Sequence, residues 1–210
     1  MSNWITIQEN TQTEITEKKS KFIAHLIKIQ SAKEAEEKWQ EIRKKYHDAR
    51  HNCMAYRVLE YGQIREKSSD DGEPSGTAGS PMLAILQNQQ LVNVIVIVTR
   101  YFGGILLGTG GLVRAYSTST IQAIELAGKS QILTGYEITI KLKYPQWEKW
   151  KYYCQKNQIT IKSVNYLQEI ECKIELEEGK KEKLLEDFET KNVILEHIEN
   201  ISKKMIEKSI

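Results

Sequence analysis

From Pro74 to Ile124 the chain carries no carboxylate; Arg100 and Arg114 are the only charges in these 51 residues. A stretch so poor in charge is buried or faces a ligand, and a ligand facing two arginines there would be an anion. Other scarcities narrow the class further. Apolar runs are short: Val94 to Val98, as long as any, is far from spanning a bilayer. Met1 to Ile7 lacks the basic start and apolar stretch of a secretory signal, so a cytoplasmic protein with no membrane partner is expected. Only three cysteines occur, Cys53, Cys154 and Cys172. An odd, widely spaced set gives neither a disulfide framework nor a metal-binding spacing, and reads as reduced, mostly buried thiols. Net charge is small: residues 1–130 hold 16 basic and 14 acidic side chains, and the remainder 14 of each. No global basic footprint marks a nucleic-acid binder, so any such function must rest on local placement.

What is present is an ordinary globular balance, 40% hydrophobic and 28% charged in 210 residues, enough for one large domain or two small ones. Short strands are predicted at Trp4 to Ile7 and Thr13 to Thr16, and a longer one at Lys21 to Ile29. Ser31 and Glu34 form a capping box opening a helix to about Tyr46. Cys53 to Glu60 reads as a strand turning at Tyr61-Gly62, Glu66 to Ser75 as a polar surface loop, and Thr77 to Gln89 as a short helix. Leu91 to Tyr101, almost wholly apolar and β-branched, reads as a central strand buried on both faces. Thr109 to Ala127 is a helix stopped by Gly128. After Ser130 the order is strand (Ile132 to Leu142), helix (Pro145 to Asn157), strands (Ile159 to Leu167, Glu169 to Glu177), helix (Lys180 to Thr190) and strand (Val193 to Ile201). That is a ferredoxin-like β-α-β-β-α-β arrangement. The expected domains are therefore 1–130 and 131–210, in an α+β chain.

Three segments could carry chemistry. The turn from Arg100 through Tyr101, Gly103, Gly104, Gly108, Gly110 and Gly111 to Arg114 joins a buried strand to a helix N-terminus, where backbone N–H groups and the helix dipole can hold an anion. Leu112-Val113 stands where a Walker sequence needs Lys-Ser/Thr, and G-x-G-x-x-G is absent. The same glycines serve equally for positive φ and close packing of loop on sheet. The loop Asp70-Asp71-Gly72-Glu73-Pro74-Ser75-Gly76-Thr77-Ala78-Gly79 holds three carboxylates, without calcium-loop spacing; turn formation and helix capping are the expected role, and no metal is assigned. Arg50-His51-Asn52-Cys53 pairs a histidine with a cysteine at i, i+2, without the third orienting group a thiol nucleophile needs. No catalytic residue and no cofactor are assigned. Trp147, Trp150, Tyr152 and Tyr153 crowd one helix; core packing is the expected use, with stacking on a base the alternative.

The residues Asp48 to Cys53, Asp70 to Pro81 and Val98 to Tyr116, together with Ser20-Lys21-Phe22-Ile23, resemble the YigZ/IMPACT family, over Thr13 to about Gly128. The resemblance implies an N-terminal fold shared with the fourth domain of elongation factor G and a small-subunit ribosomal protein. It implies a C-terminal domain like that factor's fifth. The eukaryotic relative regulates translation by competing for an activator of a stress kinase, a circuit bacteria lack. What the resemblance implies for this chain is contact with RNA, the ribosome or a translation factor; the contact surface expected from the residues is Arg100, Tyr101, Arg114 and the glycine turn, with Arg50 and His51 nearby. Two rivals stand beside this non-enzymatic reading: a phosphate-ligand or nucleotide-binding enzyme using the glycine loop, and a protein-interaction module.

Overall fold

A computed structural model describes residues 4–193 and 195–210; Met1 to Asn3 and Ile194, the latter inside the strand predicted at Val193 to Ile201, lie outside the described residues. The chain divides into two compact units, one reaching to Gln131 and including Ser209–Ile210, the other Ile132–Lys208.

The first unit is built on strands β1 (Trp4–Ile7), β2 (Thr11–Glu17), β3 (Ser20–Lys28), β4 (His51–Glu60), β5 (Gln63–Ser69) and β6 (Val94–Tyr101), with helices α1 (Ala32–Lys45), α2 (Gly79–Asn88) and α3 (Thr109–Ala127). Five strands form an antiparallel sheet in the order β2-β3-β6-β4-β5. Alternate side chains of the central strand serve two cores. Val94, Val96 and Val98 join Phe22, Leu26, Cys53 and Tyr116 under α2 and α3, while Ile95 and Ile97 join Met54, Tyr56 and Ala35 under α1. A strand covered on both faces needs apolar side chains at every position, which is why β6 reads as an unbroken run. Ser31 caps α1, its hydroxyl accepting the Glu34 N–H at 3.0 Å. The Glu34 carboxylate returns to the Gln30 N–H at 2.7 Å.

One predicted loop is in part a strand. Gln63–Ser69 pairs with β4 along its whole length, Glu60 to Gln63 through Met54 to Ser69. Its side chains are mostly exposed, so the backbone ladder holds it and polarity alone misreads it. The loop shrinks to the residues between Ser69 and Gly79.

Strand β7 (Lys129–Leu142) leads into the second unit, which continues with α4 (Trp147–Lys156), β8 (Thr160–Tyr166), β9 (Ile170–Glu177), α5 (Glu178–Glu189) and β10 (His197–Ser209). A short 3-10 turn, Tyr144–Gln146, precedes α4. The strand order is β10-β7-β9-β8, and Trp150, Ile138, Ile174, Leu176 and Leu184 fill the core. The last strand runs later than its predicted span. Its lysines pair with β7 and β9 carboxylates, as Lys204 does with Glu137 and Glu175, both at 2.7 Å. Of the crowded aromatics, Trp150 is buried and stacks on Tyr153, whose hydroxyl donates to Asp187 at 2.7 Å; Tyr152 is exposed.

His25 on β3 is buried against Tyr46 at the end of α1, ring centroids 5.2 Å apart, with its Nε2 unpartnered. Burial, and then the Lys45 ammonium, lower its pKa from 6.5 to about 4. A lowered folded pKa means the unfolded chain binds the proton more tightly. Stability is therefore intact above pH 6.5 and falls as pH drops toward 4, by about 3 kcal/mol from this residue. Urea unfolding at a series of pH values should show that loss in the parent chain and its removal in His25→Leu.

Candidate functional site

The three sequence segments converge at one end of the first unit's sheet. The pairing of β4 with β6 sets His51 opposite Arg100, and that of β3 with β6 sets Phe22 on Arg100's other side. Beside them lies a cleft of about 430 Å³, walled by Arg50, His51, Glu73, Arg100, Phe102 and the Leu106 to Thr109 turn, among others.

Arg100 is not the free cation its sequence neighbourhood implies. Glu73 stands one residue before the carboxylate-free stretch and folds back onto it: Arg100 Nη1 donates to Glu73 Oε1 at 2.7 Å, with both side chains buried. The Tyr116 hydroxyl donates to the same oxygen at 2.9 Å, and Arg100 Nη2 reaches Ser20 Oγ at 3.3 Å. The guanidinium lies over the rings of Phe22 and Phe102, at 5.4 and 5.6 Å, and its Nε is buried without a partner. A pair this enclosed fixes geometry first and supplies little net charge.

The acidic loop is held by its own backbone. Asp70 accepts N–H bonds from Gly76 (2.9 Å), Ala78 (3.0 Å) and Gly79 (2.8 Å), closing the entrance to α2. Burial works against its ionisation, but the three N–H donors outweigh that and hold the carboxyl below its usual value. Asp71 accepts the Asn52 N–H at 2.8 Å and lies 3.6 Å from Arg43. The loop's Thr77 hydroxyl donates to the Pro74 carbonyl at 2.7 Å. These are the capping and turn-forming duties expected of the segment. His51 Nδ1 lies 2.9 Å from the Asp71 carbonyl, so as a neutral ring it donates there and leaves Nε2 as the acceptor. Cys53 is buried, its sulfur 2.9 Å from the Asp70 carbonyl and 3.3 Å from the Tyr116 hydroxyl. Burial pushes the thiol well above its ordinary value, and the Glu73, Asp71 and Asp70 carboxylates add to that. A thiol so held stays protonated at neutral pH and is no nucleophile.

The glycine turn divides by role. Gly103 is architectural, because a Cβ there would lie 2.0 Å from the Lys19 carbonyl. Gly108 caps α3 at φ +73°, without a side-chain cap bond, and the first helical bond runs from Leu112 N–H to the Gly108 carbonyl at 3.0 Å. The Thr109, Gly110 and Gly111 N–H groups therefore have no partner within the helix. Gly104 and Gly111 complete the turn; a Cβ on Gly111 would press on Leu107 at 3.0 Å. Arg114, one turn into α3, is exposed and folds back so that its Nη1 would meet a Cβ on Gly110 at 3.7 Å. Tyr101 points elsewhere, its hydroxyl donating to Asp48 at 2.8 Å. Burial and that bond push its phenol up to about 12. Sequence reasoning missed the apolar wall: Phe102 and Leu106, 46% and 83% exposed, line the cleft with buried Leu107 and Leu112. The signal was an apolar triplet, Ile105-Leu106-Leu107, isolated between glycine pairs in a turn. Exposed Arg50 and the N–H groups of the α3 end, which no side chain caps, give the cleft its positive character.

The architecture is that of a mixed α/β protein of two units, with a glycine-turn cleft at the sheet end of the first. The Impact N-terminal domain model matches residues 18–124, and a domain of unknown function, DUF1949, matches 140–189. The chain belongs to the IMPACT family. It is 37% identical over 178 residues to the IMPACT family member YvyE of Bacillus subtilis, covering 85% of this chain and 82% of the relative. It is 38% identical over 172 residues to an IMPACT family member of Haemophilus influenzae, covering 81% and 82%. A crystal structure described as a hypothetical protein aligns over 100% of this chain and 98% of its own, with a TM-score of 0.61 and 29% identity. Among the described residues no helix is long and apolar enough to cross a membrane.

Proposed function

We propose that this chain is a non-enzymatic, cytoplasmic binding protein of the translation machinery. It contacts RNA, the ribosome or a translation factor through the motif face of a domain spanning 1–130, related to the fourth domain of elongation factor G. A ferredoxin-like domain, 131–210, accompanies it. Family membership supports the translation setting. The observation that carries the reading is the N-terminus of α3, capped by Gly108 without a side-chain bond, opening beside exposed Arg50, with exposed Arg114 on the helix's next turn. Backbone N–H groups and arginines without a carboxylate partner are what phosphate contacts are made from.

Cosedimentation with ribosomes and with structured RNA across a salt series tests this. Binding is expected to weaken steeply as salt rises, and Arg50→Ala and Arg114→Ala should each lower the log–log salt slope by about one. Absent or salt-insensitive binding overturns the reading in favour of a protein-interaction module. Arg100→Ala does not belong in the test, because it leaves Glu73 buried without its partner.

A further inference from the structure

Resting on that reading, we infer that the cleft takes a single nucleotide unit, its phosphate on the N-terminus of α3 and its base against the apolar wall of the glycine turn. Three observations converge. The Thr109, Gly110 and Gly111 N–H groups are unspent at the end of a 19-residue helix. Arg100, 6% exposed, is among the residues lining the same cleft, and its buried Nε–H has no partner. The third is size and surface. A cleft of about 430 Å³ holds far more than one phosphate group, and lies within the range of roughly 300–1000 Å³ usual for small-ligand sites.

The remaining surface is apolar. Phe102 and Leu106 present exposed faces at the rim, and Leu107 and Leu112 line the floor. Such a wall suits a planar ring and discriminates poorly among bases, since every base has a π-face. The wall and the helix end are joined by the Leu107-Gly108-Thr109 backbone, so one ligand must offer an anion and a ring a few ångströms apart, as a nucleotide does. Arg50 at the mouth supplies the exposed charge. The Arg100–Glu73 pair cancels its own, which leaves a site matched to one phosphate and not to a polyanionic tail. The nucleotide's source is either a free mononucleotide or an unpaired nucleotide of an RNA chain.

The experiment is an amide NMR titration of the full chain with AMP, adenosine, inorganic phosphate and a 5′-phosphorylated tetranucleotide. AMP or the tetranucleotide should shift the Gly108 to Gly111 amides together with Phe102 to Leu107. It should bind at least about tenfold tighter than phosphate or adenosine, as expected when a charged hydrogen-bonded group and an apolar contact act together. Preference for the tetranucleotide assigns the source to RNA, and preference for AMP to free nucleotide; each supports the proposal. Thr109→Glu keeps α3 intact, because an acid in the first turn favours the helix. It should abolish the response to both AMP and phosphate, whereas Leu106→Ser should weaken AMP and leave phosphate unchanged. Equal affinity for AMP and phosphate makes this a bare anion site; equal affinity for AMP and adenosine makes it an apolar groove. Either result, or no shift with any probe, overturns the proposal. Salt-dependent cosedimentation that survives Thr109→Glu beside a silent titration defeats this inference and leaves the translation reading standing; loss of cosedimentation in the parent chain defeats that reading instead.

Discussion

Glu73→Ala will unfold the first unit more readily than any change to a surface charge, by roughly 3–5 kcal/mol. Glu73 Oε1 accepts from both Arg100 Nη1 at 2.7 Å and the Tyr116 hydroxyl at 2.9 Å, so one truncation strips a buried cation and a buried phenol of their acceptor. The guanidinium cannot turn to water, since Arg100 is 6% exposed and lies over Phe22 and Phe102. Thermal and urea unfolding should both report the loss, with a drop in Tm on the order of 10 °C. The triple change Glu73→Leu, Arg100→Met, Tyr116→Phe removes the buried carboxylate together with both of its donors and should recover most of the loss, as apolar replacement of enclosed ion pairs does. A single-variant loss below about 1 kcal/mol, the scale of an exposed pair, would show that the network is solvated.

This pairing explains what the sequence could and could not disclose. Helix α3 was legible to the residue: Thr109 follows a glycine cap, Gly128 ends it, and small residues between them repeat at helical spacing. The double burial of β6 was legible because it demands an unbroken apolar run. The edge strand β5 was not, because its place comes from ladder bonds to β4 and not from its side chains. The carboxylate-free stretch from Pro74 to Ile124 supplies part of the cleft lining but misled about its charge, because Glu73 lies just outside the stretch and 27 residues from Arg100. Contacts made across a sheet leave no trace in local spacing. The acidic loop was legible as a turn, but the residue that serves the entrance to α2 was not, because Asp70 reaches the Ala78 and Gly79 N–H groups from eight and nine residues away and not from the N-cap position.

Gly103→Ala separates the two readings of the glycine turn, and should cost about 3 kcal/mol, the upper part of the overpacking range. The new Cβ would sit 2.0 Å from the Lys19 carbonyl carbon and oxygen and 2.4 Å from the Ser20 nitrogen. All three are backbone atoms of the β2–β3 turn, where Lys18 and Lys19 already occupy left-handed φ of 45° and 65°, so that side cannot yield cheaply. The turn after β6 must lift away, breaking the Gly103 N–H bond to Ser20 Oγ (3.2 Å) and loosening the Ser20 contact to Arg100. Gly104→Ala is the control. Its Cβ would meet open space, and only the φ of +84° is strained, for a cost of about 1 kcal/mol. Urea unfolding of the two variants side by side should therefore rank Gly103→Ala well below Gly104→Ala in stability; equal losses would mean that the Lys19–Ser20 backbone yields and close approach does not set the requirement for glycine at 103. The lifted turn carries Phe102 and Leu106 with it, so Gly103→Ala should also weaken AMP in the amide titration by at least as much as Leu106→Ser does. Because the helix end begins only at Thr109, beyond the displaced segment, the response to inorganic phosphate should persist.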